Sequence, residues 1–144
     1  MTKLTLSHAI WIGATLFVIS CHDRERKIDS YENIRKSLKG VEQEKTDPIA
    51  DPGGFESEVN NGGLNQYFFN ASGQNCFATL RYFKQTGKSE EAKILEEAIN
   101  CINPKKLPEK ELIEKLRKRT VDELDDSVIN NKLDKLDAEF YKLK

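Results

Sequence analysis

Polar side chains that could bind or act on another molecule are concentrated between residues 58 and 73. Gln66 and Asn70 are four residues apart, a spacing that places them on one face of a helix. A small polar pocket or a contact with a partner could be built from the group. Its polar members and their flanking residues are Glu58, Asn60, Asn61, Gly62, Gly63, Gln66, Tyr67, Asn70, Ser72 and Gly73.

The same residues can also be explained without a ligand. Asn60-Asn61-Gly62-Gly63 is typical of a helix break, because Asn and Gly adopt a left-handed backbone at low cost. The amides of Gln66 and Asn70 would then satisfy backbone groups freed at the break, since buried polar groups are nearly always hydrogen-bonded. We favour this structural role and keep the pocket or partner contact as the alternative.

Histidine is absent from the part of the chain where a catalytic centre would be built. The two histidines are His8 and His22, both near the N-terminus. Their placement excludes Ser/His/Asp and Cys/His catalysis and most zinc sites. A carboxylate enzyme would depend on Glu56 and Glu58, which on a helix point about 200° from each other. We therefore expect a non-enzymatic protein without a metal or a cofactor.

The N-terminus carries a pattern that concerns location. Lys3 precedes an apolar run over residues 9–19, which is too short to cross about 30 Å of hydrocarbon. Val18-Ile19-Ser20-Cys21 follows, and it resembles the lipobox of bacterial lipoproteins. The resemblance implies cleavage before Cys21 and a diacylglycerol on its sulfur, anchoring the chain by about 0.8 kcal/mol per buried CH₂. The alternative is an ordinary signal peptide or an N-terminal anchor helix.

These features predict three segments and a location. Residues 1–20 form the signal, 21–29 a charged tether, and 30–144 the domain, held by lipid on the periplasmic or surface side of a bacterial cell envelope. The chain has a formal net charge of −1, which argues against a nucleic-acid partner, because such binding needs a basic surface. The expected partners are the membrane, through Cys21, and an unknown protein. The oligomeric state stays open.

Helical spacing recurs along the domain and predicts a single all-α fold of five or six helices. We expect a first helix capped by Ser30, a loop over 46–54, and breaks at 60–63 and 70–73. Helices then follow over 75–86, from a Ser89 cap to 102, from near Pro108, and at the C-terminus. The apolar stripes of the first and last helices are Tyr31, Ile34, Leu38 and Val41, and Ile129, Leu133, Leu136, Phe140 and Leu143.

Cys76 and Cys101 fall on the predicted inner stripes of two helices joined by a short turn at Gly87. Both lie about 18–20 Å from that turn at 1.5 Å per residue, so the two sulfurs could face each other. An oxidising compartment would allow a disulfide. Two buried free thiols are the alternative.

The segment Glu58–Gly73 also resembles the signature of a bacterial domain family of unknown function that includes the DNA mimic proteins. The matching residues are Glu58, Asn61-Gly62-Gly63, Leu64, Gln66, Tyr67-Phe68, Asn70 and Ser72-Gly73. The family usually has Phe where this chain has Leu64. A second pattern, Leu133-x-x-Leu136-Asp137-x-x-Phe140-Tyr141, is similar to the family's last helix. The resemblance covers about residues 30–144 and implies an all-helical fold without implying a reaction.

DNA mimicry requires a dense negative field, and this chain is nearly neutral. Basic residues at 105–106, 115 and 117–119 are spread among its acids, and the acidic run over 122–126 is typical of a charged helix start. We therefore predict a membrane-anchored lipoprotein with a helical protein-interaction domain. The alternatives are a small-ligand binder or carboxylate enzyme using the Glu58–Ser72 group, and a DNA-mimic or immunity-type inhibitor of a partner protein.

Overall fold

The computed structural model describes residues 33–43 and 45–144, in two units that divide after Lys39. The predictions on the signal, Cys21, the tether, Ser30 and Tyr31 lie outside these residues. In the first unit a short helix covers 33–38, where the Ser37 hydroxyl donates to the Ile34 carbonyl (2.7 Å). Of the predicted apolar stripe, Ile34 is exposed and Leu38 is half-buried. Val41 is also exposed, but it lies beyond the end of this helix, in the second unit.

The second unit, Gly40–Lys144, is a bundle of five α-helices connected by short turns. The helices are α1 (Pro52–Phe69), α2 (Cys76–Gln85), α3 (Ser89–Ile102), α4 (Glu109–Arg117) and α5 (Ser127–Phe140). Single 3₁₀ turns cover Ala71–Asn75, Asp122–Asp125 and Tyr141–Leu143. The described residues form no β-strand, and the predicted all-α fold is confirmed. None of the described helices has the length and apolar character to cross a membrane.

Helix α1 consists of two helical halves joined at a kink, as the sequence predicts. It begins at Pro52, where the Asp51 carboxylate accepts from the Gly54 amide (2.8 Å). The predicted loop over 46–54 is therefore wrong at its end, since Pro52 is well suited to the first helical position. The kink lies at Gly62 (φ −159°) and Gly63 (φ +79°).

The core is centred on the aromatic ring of Phe55. Its ring meets those of Tyr67, Phe83 and Phe140 edge-on, with centroids 5.0, 5.4 and 5.5 Å away. These contacts join both halves of α1 to α2 and α5. Edge-to-face aromatic pairs add about 0.5–1.5 kcal/mol to the area they bury, so this cluster fixes the relative placement of three helices.

Helices α2 and α3 form the predicted αα-hairpin, with Gly87 in a left-handed conformation (φ +75°) at the turn. Ser89 is the first residue of α3 and not its cap, because Lys88 occupies the cap position without a side-chain hydrogen bond. Pro108 precedes α4 as predicted. In α5 the predicted stripe is buried at Leu133, Leu136 and Phe140, whereas Leu143 lies exposed in the final 3₁₀ turn.

An extended segment over residues 41–43 and 45–51 lies along the bundle before α1 begins, and we call it the strap. The Gln43 amide donates to the Arg117 carbonyl (3.0 Å) and its side chain to the Phe69 carbonyl (3.2 Å). Further along, the Ile49 amide donates to the Asn75 side chain (3.2 Å). The strap thus belongs to the folded unit.

Candidate functional site

The predicted polar group is built around the Glu58 carboxylate, in the first half of α1. One of its oxygens, Oε2, accepts from Gln66 Nε2 (2.8 Å) and from Asn70 Nδ2 (2.9 Å). Gln66 lies in the second half of α1, and Asn70 ends that helix. Glu58 therefore ties the first half of α1 to the second half and to its C-terminus.

The backbone groups freed at the kink have partners on α5 and just after it. Asp137 Oδ1 accepts from the Leu64 amide (2.8 Å), and the Tyr141 hydroxyl donates to the Val59 carbonyl (2.7 Å). We expected the amides of Gln66 and Asn70 to take this role, and that expectation is wrong because both amides bond Glu58. Together, the two halves of α1, Glu58 with its two amides, and Asp137 with Tyr141 make up what we call the joint.

Two positions in and just after the joint require glycine, because neighbouring atoms leave no room for a side chain. A Cβ atom at Gly63 would lie 2.3 Å from Asp137 Oδ2, and its φ of +79° is unfavourable for any other residue. At Gly73 a Cβ would lie 2.7 Å from the Phe68 carbonyl oxygen, a backbone atom that cannot turn aside. The motif glycines thus let α1 approach α5 and let the chain turn back after Asn70.

Burial makes the Asp137 carboxyl a weaker acid than an ordinary aspartate. Its side chain is only 9% exposed, and burial raises its pKa to about 6, with the negative charge of Asp134 acting in the same direction. The hydrogen bond from the Leu64 amide opposes the shift, since it favours the ionised form. Burial and the charge of Asp137 also raise the pKa of the Tyr141 phenol.

The other predicted site residues do not meet at one place. The Tyr67 ring is fully buried in the core, where burial raises the pKa of its phenol well above the ordinary value. Asn60 and Asn61 are exposed, and Asn60 accepts from Lys144 Nζ (2.6 Å). Ser72 is half-buried in the 3₁₀ turn after α1. A partner therefore cannot touch Tyr67 or the equally buried Leu64 while the domain is folded.

Cys76 and Cys101 are free thiols in the structure. Cys76 is fully buried, and burial raises its pKa to about 12. Cys101 is only partly buried and lies near Lys132 of α5, whereas Cys76 lies near Glu109 of α4. The inner stripe of α3 is formed by Ile94, Leu95, Ala98 and Ile102, so Cys101 stands at its border, which the spacing argument overlooked.

Three further residues of this region were not predicted as site residues. Asp137 and Tyr141 were named only as part of the last-helix pattern, and Asn65 was not singled out. The side chain of Asn65 donates to the Leu124 carbonyl (3.0 Å) and thereby connects α1 to the turn before α5. A signal for Asp137 was present, because a carboxylate between Leu136 and Phe140 falls on the buried side of an amphipathic helix. Such a carboxylate needs a donor, and the amide freed at Gly63 supplies one.

The chemistry of the joint is that of a structural connection. The Glu58 oxygen that faces its neighbours already accepts two hydrogen bonds, and Asp137 accepts one from the backbone. Among the described residues, no three His, Cys, Asp or Glu side chains are grouped as metal ligands would be. Glu58, Gln66 and Asn70 of the signature hold the two halves of α1 together.

The fold and the joint define a class of small all-α domain. In this class the first helix of the bundle is split by glycines, and the last helix bonds the backbone at the split. A family model described as DMP19-like protein matches residues 53–144, and the chain belongs to that family. The predicted relationship to the family of the DNA mimic proteins is thereby confirmed over the part of the chain that contains both signature segments. No curated protein and no solved structure gave a match to the chain.

Proposed function

We propose that the protein is a bacterial lipoprotein that presents a non-enzymatic, protein-binding helical domain on the outer side of a membrane. The observation that carries the proposal is the joint, in which the Glu58 carboxylate and the Gln66 and Asn70 amides bond one another. A cluster that acted on a substrate would keep such groups available for it. Membership of the DMP19-like family supports a DNA-mimic-type domain, a class that acts by binding proteins.

The anchoring half of the proposal rests on Val18-Ile19-Ser20-Cys21 and on the apolar run before it. Attachment through the Cys21 sulfur would keep the domain at the envelope, where a partner must also be found. The nearly neutral charge of the chain suits a protein partner better than it suits a polyanion.

Fatty-acid labelling in cells tests the anchoring. Wild-type protein and a Cys101→Ala control are expected to take up an alkyne analogue of palmitate and to sediment with membranes. The Cys21→Ala variant is expected to lose both properties. Equal labelling of the Cys21→Ala and wild-type proteins, or none in either, would refute a lipid on this sulfur. The Cys101→Ala control is apt because Cys101 is only partly buried and is a free thiol among the described residues.

A second candidate, a DNA-mimic-type inhibitor, is favoured by the family and by the acidic run over 122–126, immediately before α5. Asp122, Asp125 and Asp126 are exposed, but Asp126 already accepts from the Val128 and Ile129 amides as the helix cap. For a DNA-binding partner, the carboxylates of Asp122, Glu123 and Asp125 would have to take the place of DNA phosphates.

Charge reversal separates the two candidates. Immobilised protein would be incubated with envelope and cytoplasmic extracts, and the bound proteins would be identified. Three proteins would be compared: the wild type, the double variant Asp122→Lys with Glu123→Lys, and the control variant Asp134→Lys. The proposed function predicts an envelope partner retained by all three proteins. A DNA-binding protein that is released by the double reversal and by added duplex DNA would favour mimicry instead.

A further inference from the structure

The strap is held at its two ends and packs loosely in between. None of its described residues is buried, and Val41 and Ile49 leave 49% and 68% of their surfaces exposed. A cavity of about 380 Å³ lies between the middle of the strap, residues 45–48, and α4. The attachment of the strap therefore depends on a few polar contacts, and such a segment can detach without unfolding of the bundle.

The first end of the strap meets the C-terminus of α1 at one backbone atom. The Phe69 carbonyl, at the last residue of α1, accepts from Gln43 Nε2 (3.2 Å) and from Arg119 Nε (3.3 Å). The last carbonyls of a helix have no partner within it, so these two donors complete this end of α1. Arg119 also donates to the Val41 carbonyl (2.8 Å), and its guanidinium lies 5.3 Å from the centroid of the Phe69 ring. The strap thus caps α1 both directly and through Arg119.

The same end of α1 belongs to the joint. Asn70 directly follows Phe69, and its side chain donates to Glu58 (2.9 Å). Departure of the strap would take away the Gln43 donor and the carbonyl that holds Arg119. Because a half-buried carbonyl that loses its donors is destabilised, the last turn of α1 would open to water. Such an opening would pull Asn70 away from Glu58.

Docking of the strap also carries a cost at Gln43. The side-chain oxygen of this residue, Oε1, is closed off from solvent and has no hydrogen-bond partner among the described residues. A buried acceptor without a donor is destabilising, and undocking relieves the cost by exposing the oxygen to water. The docked and undocked states of the strap are therefore closer in free energy than the hydrogen bonds of the strap alone would make them.

From these contacts we infer that docking of the strap and closure of the joint are coupled, so that undocking of residues 41–43 loosens the Glu58 connection within α1. A partner that draws the strap from the bundle would then loosen the joint without touching it. Coupling of this kind is reciprocal, so loosening of the joint must also favour undocking of the strap. The inference goes beyond the proposed function, and its test does not depend on lipidation of Cys21.

Amide hydrogen exchange of the full-length protein in detergent micelles, followed by ¹H–¹⁵N NMR, tests the coupling in both directions. Glu58→Gln should speed exchange of the Gln43 amide, which bonds the Arg117 carbonyl (3.0 Å), at least fivefold, since coupling factors are typically about 5–150. Gln43→Ala should speed exchange of the Leu64 amide at the joint by a similar factor. Each change is taken relative to that of the amide of fully buried Leu95, which reports opening of the whole bundle.

Two matched controls should leave these relative rates unchanged. Glu56→Gln alters an exposed carboxylate in the same half of α1 as Glu58, and Ile49→Ala shortens an exposed side chain at the other end of the strap. The inference is overturned if either test substitution speeds exchange only on its own side. It is also overturned if Glu56→Gln speeds the Gln43 amide as much as Glu58→Gln does. If the Glu58→Gln protein does not fold, the Leu64 rate in Gln43→Ala decides alone.

Discussion

Asp137 and Leu64 are 73 residues apart in the chain, yet the Asp137 carboxylate accepts a hydrogen bond from the Leu64 backbone amide (2.8 Å). Leu64 follows the glycine pair that splits α1, so Asp137 caps the second half of α1 from α5. Both family signature segments meet in this one hydrogen bond. Its consequences for stability can be tested directly.

Gly63→Ala should lower the free energy of unfolding by about 3 kcal/mol. An alanine at φ +79° costs about 1–2 kcal/mol, and its Cβ, 2.3 Å from Asp137 Oδ2, would displace the carboxylate that caps Leu64. Urea denaturation followed by circular dichroism measures the change.

The control for this substitution is Gly53→Ala, in the first turn of α1. A Cβ at Gly53 meets nothing within 4 Å, so alanine should raise the stability by up to about 1 kcal/mol through its helix propensity. If the two variants were equally stable, Gly63 would not be the close approach that the structure shows.

Asp137→Asn should remove a pH dependence of stability. Because the folded state raises the pKa of Asp137 to about 6, the folded protein binds this proton more tightly than the unfolded chain does. The stabilisation is complete below the unfolded pKa, near 4, and is lost as the pH rises through 6. Asn keeps an acceptor for the Leu64 amide without titrating.

Lowering the pH from 7.5 to 4.5 should therefore raise the free energy of unfolding of the wild type by about 2 kcal/mol more than that of Asp137→Asn. This follows because the folded and unfolded pKa values of Asp137 differ by roughly two. Urea denaturation of both proteins at the two pH values gives this difference and cancels the titration of other groups. A stability difference that stays constant with pH would contradict the burial of Asp137.

Glu58→Gln should destabilise the domain by about 1–2 kcal/mol, since two hydrogen bonds to a charged oxygen are weakened. Glu56→Gln is the matched control, because the one ion pair of exposed Glu56 among the described residues is with Lys144, at 3.6 Å. The Glu56→Gln substitution should lower the free energy of unfolding by no more than about 0.5 kcal/mol. Thermal unfolding of the two variants compares them, and equal midpoints would argue against Glu58 as the connection within α1.

The two domain cysteines should differ in alkylation. Under native conditions iodoacetamide should modify Cys101 well before Cys76, because Cys76 is fully buried and its raised pKa disfavours the thiolate. In denaturant without a reductant, mass spectrometry should find both cysteines modified. Two unmodified cysteines in denaturant would show a disulfide instead.

Much of the fold follows from local features of the sequence. The pair Gly62-Gly63 predicts the kink in α1, and Leu133, Leu136 and Phe140 predict the buried face of α5, because both depend only on residues close in the chain. Errors arose at ends of elements, such as Ser89 and Leu143, where tertiary packing decides whether a residue caps, extends or leaves a helix.

The pairing of the site residues could not be predicted in the same way. The sequence places Gln66 and Asn70 on one helical face, but only the angle of the kink brings Glu58 over that face. Asp137 reaches Leu64 across 73 residues, a distance over which periodicity carries no information. The position of the strap likewise depends on contacts with Phe69, Asn75 and Arg117, which are distant from it in the chain.

The mass of the N-terminal peptide of the native protein is the most direct test of where this protein acts. The proposed function predicts a chain that begins at Cys21, carries a diacylglyceryl group on its sulfur, and is recovered from membranes. A native chain that begins at Met1 and is recovered without membranes would contradict it.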